Sequence, residues 1–120
     1  MKKNNVLLLL FLLLITSCVQ KSFQKTVTLN LNVAGMKDIK TVGVRGEGKP
    51  LSWRQDIEMK PLVKDSLYTV TVTSETGYKF VEIKFAVNGD MELKESNNRK
   101  VYFTAGDTTV YNAVFNHANQ

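Results

Sequence analysis

The side chains with the clearest chemical use are a single tryptophan and a small set of amide and charged residues. Trp53 is the only tryptophan among 120 residues, and Lys84, Asn98 and Arg99 follow it along the chain. An aromatic face packs against the C–H groups of a sugar ring, while amide and charged side chains bind its hydroxyls. These residue types are the composition that a glycan-binding surface needs. A lone tryptophan in a small domain can instead anchor the core, and the sequence leaves both interpretations open.

Residues suited to catalysis are few. His117, the only histidine, follows the last predicted strand near the C-terminus, which favours an exposed tail residue over a general base. The sequence contains no Gly-x-Ser-x-Gly elbow, the turn that carries the nucleophile of many hydrolases. Its scattered carboxylates fit a solvated sheet face and loops. We therefore expect a protein that is not an enzyme and has neither a cofactor nor a metal site.

One segment imitates a phosphate-binding loop. Gly43 to Lys49 has the spacing Gly-x-x-x-x-Gly-Lys, but Pro50 occupies the position at which the motif needs Ser or Thr for magnesium. No helical periodicity follows it, although the motif requires a helix whose first amides hold the phosphates. The segment therefore does not predict a nucleotide site.

The N-terminal segment predicts export and attachment to a lipid. Two lysines precede the uncharged apolar run 6–15, which is short for a membrane span and typical of a signal peptide. Residues 15–18, Ile-Thr-Ser-Cys, resemble the lipobox of bacterial lipoproteins. This resemblance implies a signal peptide over 1–17, a lipidated Cys18 and anchoring to a bacterial membrane. Val19, which is not aspartate, implies transfer to the outer membrane or cell surface. The alternative is an ordinary secreted protein with a stray cysteine.

Charge and cysteine content limit the remaining classes of protein. Cys18 is the only cysteine, so the sequence offers neither an intramolecular disulfide nor a thiolate metal site. Removal of Lys2 and Lys3 with the signal peptide leaves 14 basic against 11 acidic residues, a net charge of +3. This small, scattered excess argues against a nucleic-acid partner. Residues 18–25 then form a short polar tether to the folded domain.

Alternating apolar and polar residues predict strands after the tether. The clearest pattern spans 26–34, where Val27, Leu29, Leu31 and Val33 share one face. Residues 51–57 have a mixed pattern that fits a helical turn or a short strand. About seven short strands without a helical period predict an all-β, antiparallel, immunoglobulin-like sandwich over 26–116, followed by a tail at 117–120. The other predicted strands span 41–45, 65–74, 81–87, 100–104 and 108–116, and in the first of these Val42 and Val44 are predicted to point inward.

Residues 81–99 are predicted to display polar groups. The apolar residues at 81, 83, 85 and 87 alternate with others, which points Lys84 outward. Asn88-Gly89 favours a tight hairpin turn because both residues tolerate positive φ. The chain then enters a polar loop that ends at Asn98-Arg99. This hairpin and loop are a candidate recognition surface.

An ordered set of short elements resembles the starch-binding, family-20 type carbohydrate-binding modules. The likeness extends over nearly all of residues 27–115 and implies a starch-binding-domain-like sandwich. The elements that carry it are Leu51-Ser52-Trp53, Leu67-Tyr68-Thr69-Val70, Ile83-Lys84-Phe85, Met91-Glu92 and Asn98-Arg99.

The resemblance implies a role for each candidate residue. Trp53 would be a stacking platform, Lys84 a donor to sugar hydroxyls and Asn98 a hydrogen-bonding partner from the loop. The second platform should be tryptophan, and this chain has Met91, which is apolar but lacks a flat aromatic face. Loss of one stacking surface forfeits on the order of 1–3 kcal/mol. Glu92 and Arg99 are also candidate ligand-binding residues, with pairing across the hairpin as their structural alternative.

Two functions are compatible with this pattern. The first is a non-catalytic surface lipoprotein that binds a polysaccharide or oligosaccharide, foremost a starch-like α-glucan, and that could belong to a surface glycan-processing complex. The second, motivated by Met91, is a structural or protein-interaction lipoprotein that keeps the fold without binding sugar.

Overall fold

The computed structural model describes residues 21–118, which form nine β-strands without a helix. The predicted signal peptide and Cys18 lie outside these residues. The strands are β1 (Phe23–Asn32), β2 (Val42–Gly46), β3 (Ile57–Glu58), β4 (Lys60–Val63), β5 (Leu67–Thr76), β6 (Phe80–Val87), β7 (Asp90–Met91), β8 (Arg99–Tyr102) and β9 (Thr108–Val114).

The strands make two sheets, and the predicted all-β sandwich is confirmed. The first sheet has the order β4-β5-β1-β9, and the second has the order β3-β2-β6 with β7 and β8 both paired to β6. All pairs are antiparallel except β1 with β9, which run parallel. The parallel pair departs from the wholly antiparallel arrangement that we expected.

The core lies between the inner faces of the sheets. The alternation in β1 is found as predicted, because Val27, Leu29 and Leu31 are each at most 1% exposed. The strand begins at Phe23, however, so residues 23–25, which were predicted to belong to the tether, are part of the first sheet. Phe85 of β6 faces them from the second sheet and is fully buried. Nine strands exceed the predicted seven because β4 and β7 are too short or too polar to show a period of two. The mixed segment 51–57 ends in the two-residue strand β3.

Polar side chains cover the outer face of the first sheet and bond to one another. The hydroxyls of Thr28 and Thr71 lie 3.0 Å apart on neighbouring strands, and the amide of Asn30 donates to the side chain of Asn112. The short polar side chains of this face therefore satisfy one another's hydrogen-bonding groups. The tryptophan does not lie on this face.

The outer edge of β6 is interrupted between β7 and β8. β7 pairs with residues 86–87 of β6, and β8 pairs with residues 80–83. Between them the chain leaves the edge as a loop, residues 92–98, which we call the edge loop. Residues 84 and 85 of β6 thus have a loop beside them where a continuous strand would lie.

Candidate functional site

The candidate site lies on the outer face of the second sheet. Arg45 of β2 pairs directly with Lys84 of β6, and because opposite residues of an antiparallel pair share a face, both side chains leave the sheet on the side away from the core. Like charges so placed repel each other. The protein gives each cation its own acceptors: Arg45 forms an ion pair with Asp56, and Lys84 is bound by the edge loop.

Trp53 is exposed beside this ion pair. Trp53 is 36% exposed. It therefore does not fill the core, which was the alternative that the sequence left open. Its backbone carbonyl accepts a hydrogen bond from Nη1 of Arg45 at 3.4 Å. The same nitrogen lies 3.8 Å from the sulfur of Met91. The guanidinium of Arg45 therefore contacts both Trp53 and Met91. These are the two positions at which the family resemblance implied stacking platforms.

Gly43 lets Asp56 approach the sheet. A Cβ atom at position 43 would lie 2.7 Å from the Cβ of Asp56, closer than side chains tolerate. Asp56 thus sits over a gap in the side-chain layer of β2, within reach of Arg45 two residues along the strand. Gly43, the first glycine of the segment that imitates a phosphate loop, lies inside β2, so this segment begins as a strand.

Lys84 lies on the outer face, but the expectation that it faces water is wrong. Its residue is only 9% exposed. The ammonium nitrogen donates to the carbonyl of Leu93 at 2.7 Å and to that of Ser96 at 3.1 Å. Strand alternation predicts which face a residue occupies, but it cannot predict that a loop folds over that face. Lys84 holds the edge loop against the sheet.

Glu92 and Arg99 lie inside the sandwich and pair across the hairpin, as their structural alternative required. Glu92 is 0% exposed and Arg99 is 5% exposed. Their two hydrogen bonds measure 2.6 and 2.8 Å. The carboxylate also accepts the backbone amide of Phe85 at 3.0 Å, at the point where the edge of β6 lacks a strand. This placement makes both residues structural and leaves neither on the outer face.

Burial and pairing shift the pKa of Arg99 in opposite directions. Burial by itself lowers the pKa of the guanidinium, whereas hydrogen bonds and charge from Glu92, and hydrogen bonding with Tyr111, raise it. The result is a pKa above the ordinary value for arginine, so Arg99 stays charged. Arg99 is therefore a charged donor inside the domain.

The remaining residues complete the description of this face. Asn98 is half-buried at the end of the edge loop, directly before β8. A surface depression of about 460 Å³ adjoins Met91, with Asn88, Lys94 and Asn116 among its lining residues.

Sequence reasoning missed Arg45 and Asp56. The signal for Arg45 was available, since Val42 and Val44 were predicted to point inward and position 45 must then point outward. No sequence pattern brings Asp56 to it. The structure thus adds to the candidate site an ion pair that is about one quarter exposed on each side.

Neither a metal centre nor a membrane helix is found in residues 21–118. That part of the chain holds no group of three His, Cys, Asp or Glu side chains able to bind a metal ion. It likewise has no helix long and apolar enough to cross a membrane. Comparison of the chain with protein-family models and with curated proteins gives no match.

Proposed function

We propose that this protein is a non-catalytic, lipid-anchored module that binds a starch-like α-glucan or a related glycan on the outer face of its second sheet. The observation that carries the proposal is the exposure of Trp53 beside the Arg45–Asp56 ion pair, with Met91 on the same guanidinium. An aromatic platform next to a donor and an acceptor matches the two needs of a sugar ring, which has apolar C–H faces and hydroxyls at its rim.

The polar partners in this proposal differ from those that the family resemblance suggested. The ammonium group of Lys84 donates hydrogen bonds to two carbonyls of the edge loop. Arg45 and Asp56 are partly exposed and lie beside Trp53, so we assign the binding of sugar hydroxyls to them. Asn98 contributes from the base of the edge loop, and Lys84 acts by holding that loop in place.

Anchoring is the second part of the proposal. The lipobox-like residues 15–18 imply that Cys18 is lipidated and that the mature domain is held at a bacterial outer membrane or cell surface. When a domain with a weak sugar site is fixed at a surface beside other glycan-binding proteins, the high local concentration of sites raises their combined affinity for a polymer. This effect suits a member of a glycan-processing complex.

Affinity electrophoresis tests the sugar site. The chain from Cys18 to Gln120, with Cys18→Ser to prevent acylation and oxidation, is run in native gels with and without amylopectin or glycogen. We expect retardation by α-glucan and its loss in Trp53→Ala. Tyr102→Ala is the matched control, because it removes an exposed aromatic side chain that lies at the opposite end of β6 from Met91. Equal mobility with and without glycan, or unchanged retardation of Trp53→Ala, would overturn the proposal.

A second candidate function is a protein-interaction lipoprotein that keeps the fold without binding sugar. Two observations favour it: the ammonium of Lys84 is already bound by the edge loop, and the second platform position holds Met91, whose flexible side chain suits contact with proteins. A photo-crosslinking amino acid at position 91 should then recover one partner in stoichiometric amount from intact membranes. Recovery of no defined partner, with retardation by glycan, would exclude this candidate.

A further inference from the structure

Aromatic side chains gather at the end of the sandwich where β1 begins, β5 ends and β6 begins. The strand pairings place Phe23 opposite Thr76, and Phe80 opposite Tyr102, whose rings lie 5.3 Å apart. The amide of residue 103 donates to the carbonyl of Lys79 at 2.9 Å, which closes this end of the second sheet. We call this group the aromatic end; it comprises Phe23, Tyr78, Phe80, Tyr102 and Phe103.

Much of the aromatic end is in contact with solvent. Tyr78 is 79% exposed, Tyr102 is 61% exposed and Phe23 is 58% exposed. A groove of about 410 Å³ opens beside Tyr78 and Phe80. Large aromatic groups exposed together on a small domain indicate a surface that contacts something apolar.

The chain enters the domain at this same end. The carbonyl of Lys21 lies 3.0 Å from the position that a Cβ atom on Gly77 would occupy, so the first described residue touches the loop that carries Tyr78. Only Val19 and Gln20 lie between Cys18 and Lys21, so Lys21 is three residues along the chain from Cys18. Fully extended, three residues span about 10 Å. A lipid on Cys18 would therefore keep Lys21, which touches the loop that carries Tyr78, within about 10 Å of the membrane surface.

We propose that the aromatic end lies in the interface of the membrane to which Cys18 is anchored, and that it orients the domain there. This inference rests on the anchoring part of the proposed function. Tyrosine rings favour the headgroup region because one edge is apolar and the hydroxyl can remain hydrated. With the lipid chain, they give the second attachment that a stable orientation needs.

Lysines at the aromatic end suit the same partner. Lys79 lies next to Tyr78 in the loop, and the Nζ of Lys100 lies 5.0 Å from the ring centre of Phe80. Long lysine side chains can cover apolar surface while their charges reach lipid phosphates. Three carboxylates, those of Glu47, Glu75 and Glu82, also line the groove. The carboxylate of Glu75 accepts a hydrogen bond from Ser22, and Glu82 lies opposite Lys100 in the register of β6 and β8.

This orientation would carry the glycan face away from the lipid. The Asn88–Gly89 turn lies at the opposite end of β6 from Phe80, and Met91 follows that turn. With the aromatic end in the headgroups, the hairpin points outward. The outer face of the second sheet then stands upright on the membrane, open to polymer from the side.

Quenching by brominated lipids tests the inference. The chain from Cys18 to Gln120 contains every strand that the structure describes. Its lone thiol can be coupled to a maleimide phospholipid in vesicles, which makes the test independent of acylation in the cell. The reporter is Tyr78→Trp with Trp53→Phe, so that each protein has one tryptophan. The matched control is Lys94→Trp with Trp53→Phe, because Lys94 is exposed and lines a depression with Val87 and Asn88 at the opposite end of β6 from Phe80. Circular dichroism checks the fold of each variant.

We expect the reporter at position 78 to lose most of its emission when the vesicles contain brominated lipids, and the control at position 94 to keep nearly all of it. If Tyr78→Trp unfolds, Tyr102→Trp with Trp53→Phe serves as the reporter of quenching at the aromatic end. Equal, weak quenching at both ends would overturn the inference while leaving glycan retardation untouched. Separately, a mass spectrum of the cellular protein without acyl chains on Cys18 would overturn the anchor, and the inference with it.

Discussion

Glu92 and Arg99 join both sheets of the sandwich through one buried ion pair. Nε and Nη2 of Arg99 donate to the two carboxylate oxygens of Glu92 at 2.6 and 2.8 Å. Arg99 also donates to the carbonyls of Val114 and His117, at the end of β9 in the first sheet. The carboxylate meanwhile accepts the amides of Phe85 and Asn116. The carboxylate thus accepts the amide of Phe85 where an uninterrupted edge strand would have supplied a carbonyl.

Arg99→Met should destabilise the domain strongly. The substitution leaves the carboxylate of Glu92 buried without its cation, and breaking one partner of such a pair costs about 3–5 kcal/mol. The two carbonyls at the end of β9 also lose their donor, so the cost should lie toward the upper part of that range. Urea denaturation, followed by circular dichroism, measures the change in the free energy of unfolding.

The control for this prediction is Lys100→Met, which removes the same charge one residue along β8. Lys100 is exposed, and surface substitutions of this kind change stability by about 0.5 kcal/mol or less. Similar denaturation midpoints for Arg99→Met and Lys100→Met would show that the pair contributes nothing to the joining of the sheets.

Lys84→Met should loosen the edge loop. The ammonium makes two hydrogen bonds to the carbonyls of Leu93 and Ser96, and hydrogen bonds from a charged donor contribute about 1.5–3 kcal/mol. We expect the free energy of unfolding to fall by about 1–3 kcal/mol, since the methionine stem still packs against the loop. Amide hydrogen exchange in residues 93–96 should become faster.

Lys94→Met is the comparison for this substitution, because it removes an exposed lysine from the same loop. It should leave exchange and stability near those of the unmodified chain. Unchanged exchange in Lys84→Met together with lost retardation by α-glucan would assign Lys84 to the sugar and not to the loop.

Gly46→Ala should lower the melting temperature. A Cβ atom at position 46 would lie 2.6 Å from the backbone carbonyl of Glu82 on the neighbouring strand, and a backbone cannot move aside as a flexible side chain can. Overpacking of this kind costs about 1–3 kcal/mol. Gly106→Ala is the matched control, since its added methyl group would meet no atom within 4 Å. Equal melting temperatures in a thermal scan would contradict the prediction.

Alternation along single strands predicted most of the fold. Val42 and Val44 lie in the core as their positions in the pattern required. Asn88 and Gly89 have positive φ, as the turn prediction demanded. These features depend on residues that are neighbours in sequence, so an alternating pattern or an Asn-Gly turn is enough to predict them.

The candidate site was less predictable because its decisive contacts join distant segments. The side chain of Asn88 accepts the amides of Lys40 and Thr41, although the sequence marked it only as a turn residue. The burial of Lys84 depends on a loop nine to twelve residues further along the chain. Contacts of this kind arise from tertiary packing, and no local pattern encodes them.

Met91→Trp should strengthen binding of α-glucan. Met91 lies on the outer face of the second sheet, and its sulfur is 3.8 Å from the guanidinium nitrogen of Arg45 that also reaches the carbonyl of Trp53. An indole there would give the sugar a second flat surface and would itself be held by the cation. One stacking contact contributes about 1–3 kcal/mol, which corresponds to an affinity roughly 5- to 150-fold higher.

Affinity electrophoresis over a series of amylopectin concentrations measures this gain. Val110→Trp is the control, because it adds the same ring at an exposed position on β9 of the first sheet. The double variant Trp53→Ala/Met91→Trp should fall well below Met91→Trp, since the two rings contact one ligand and their effects are coupled. If Met91→Trp and Val110→Trp migrate alike at every concentration, the face around Arg45 does not hold the glycan, and the protein-interaction function becomes the better account of this domain.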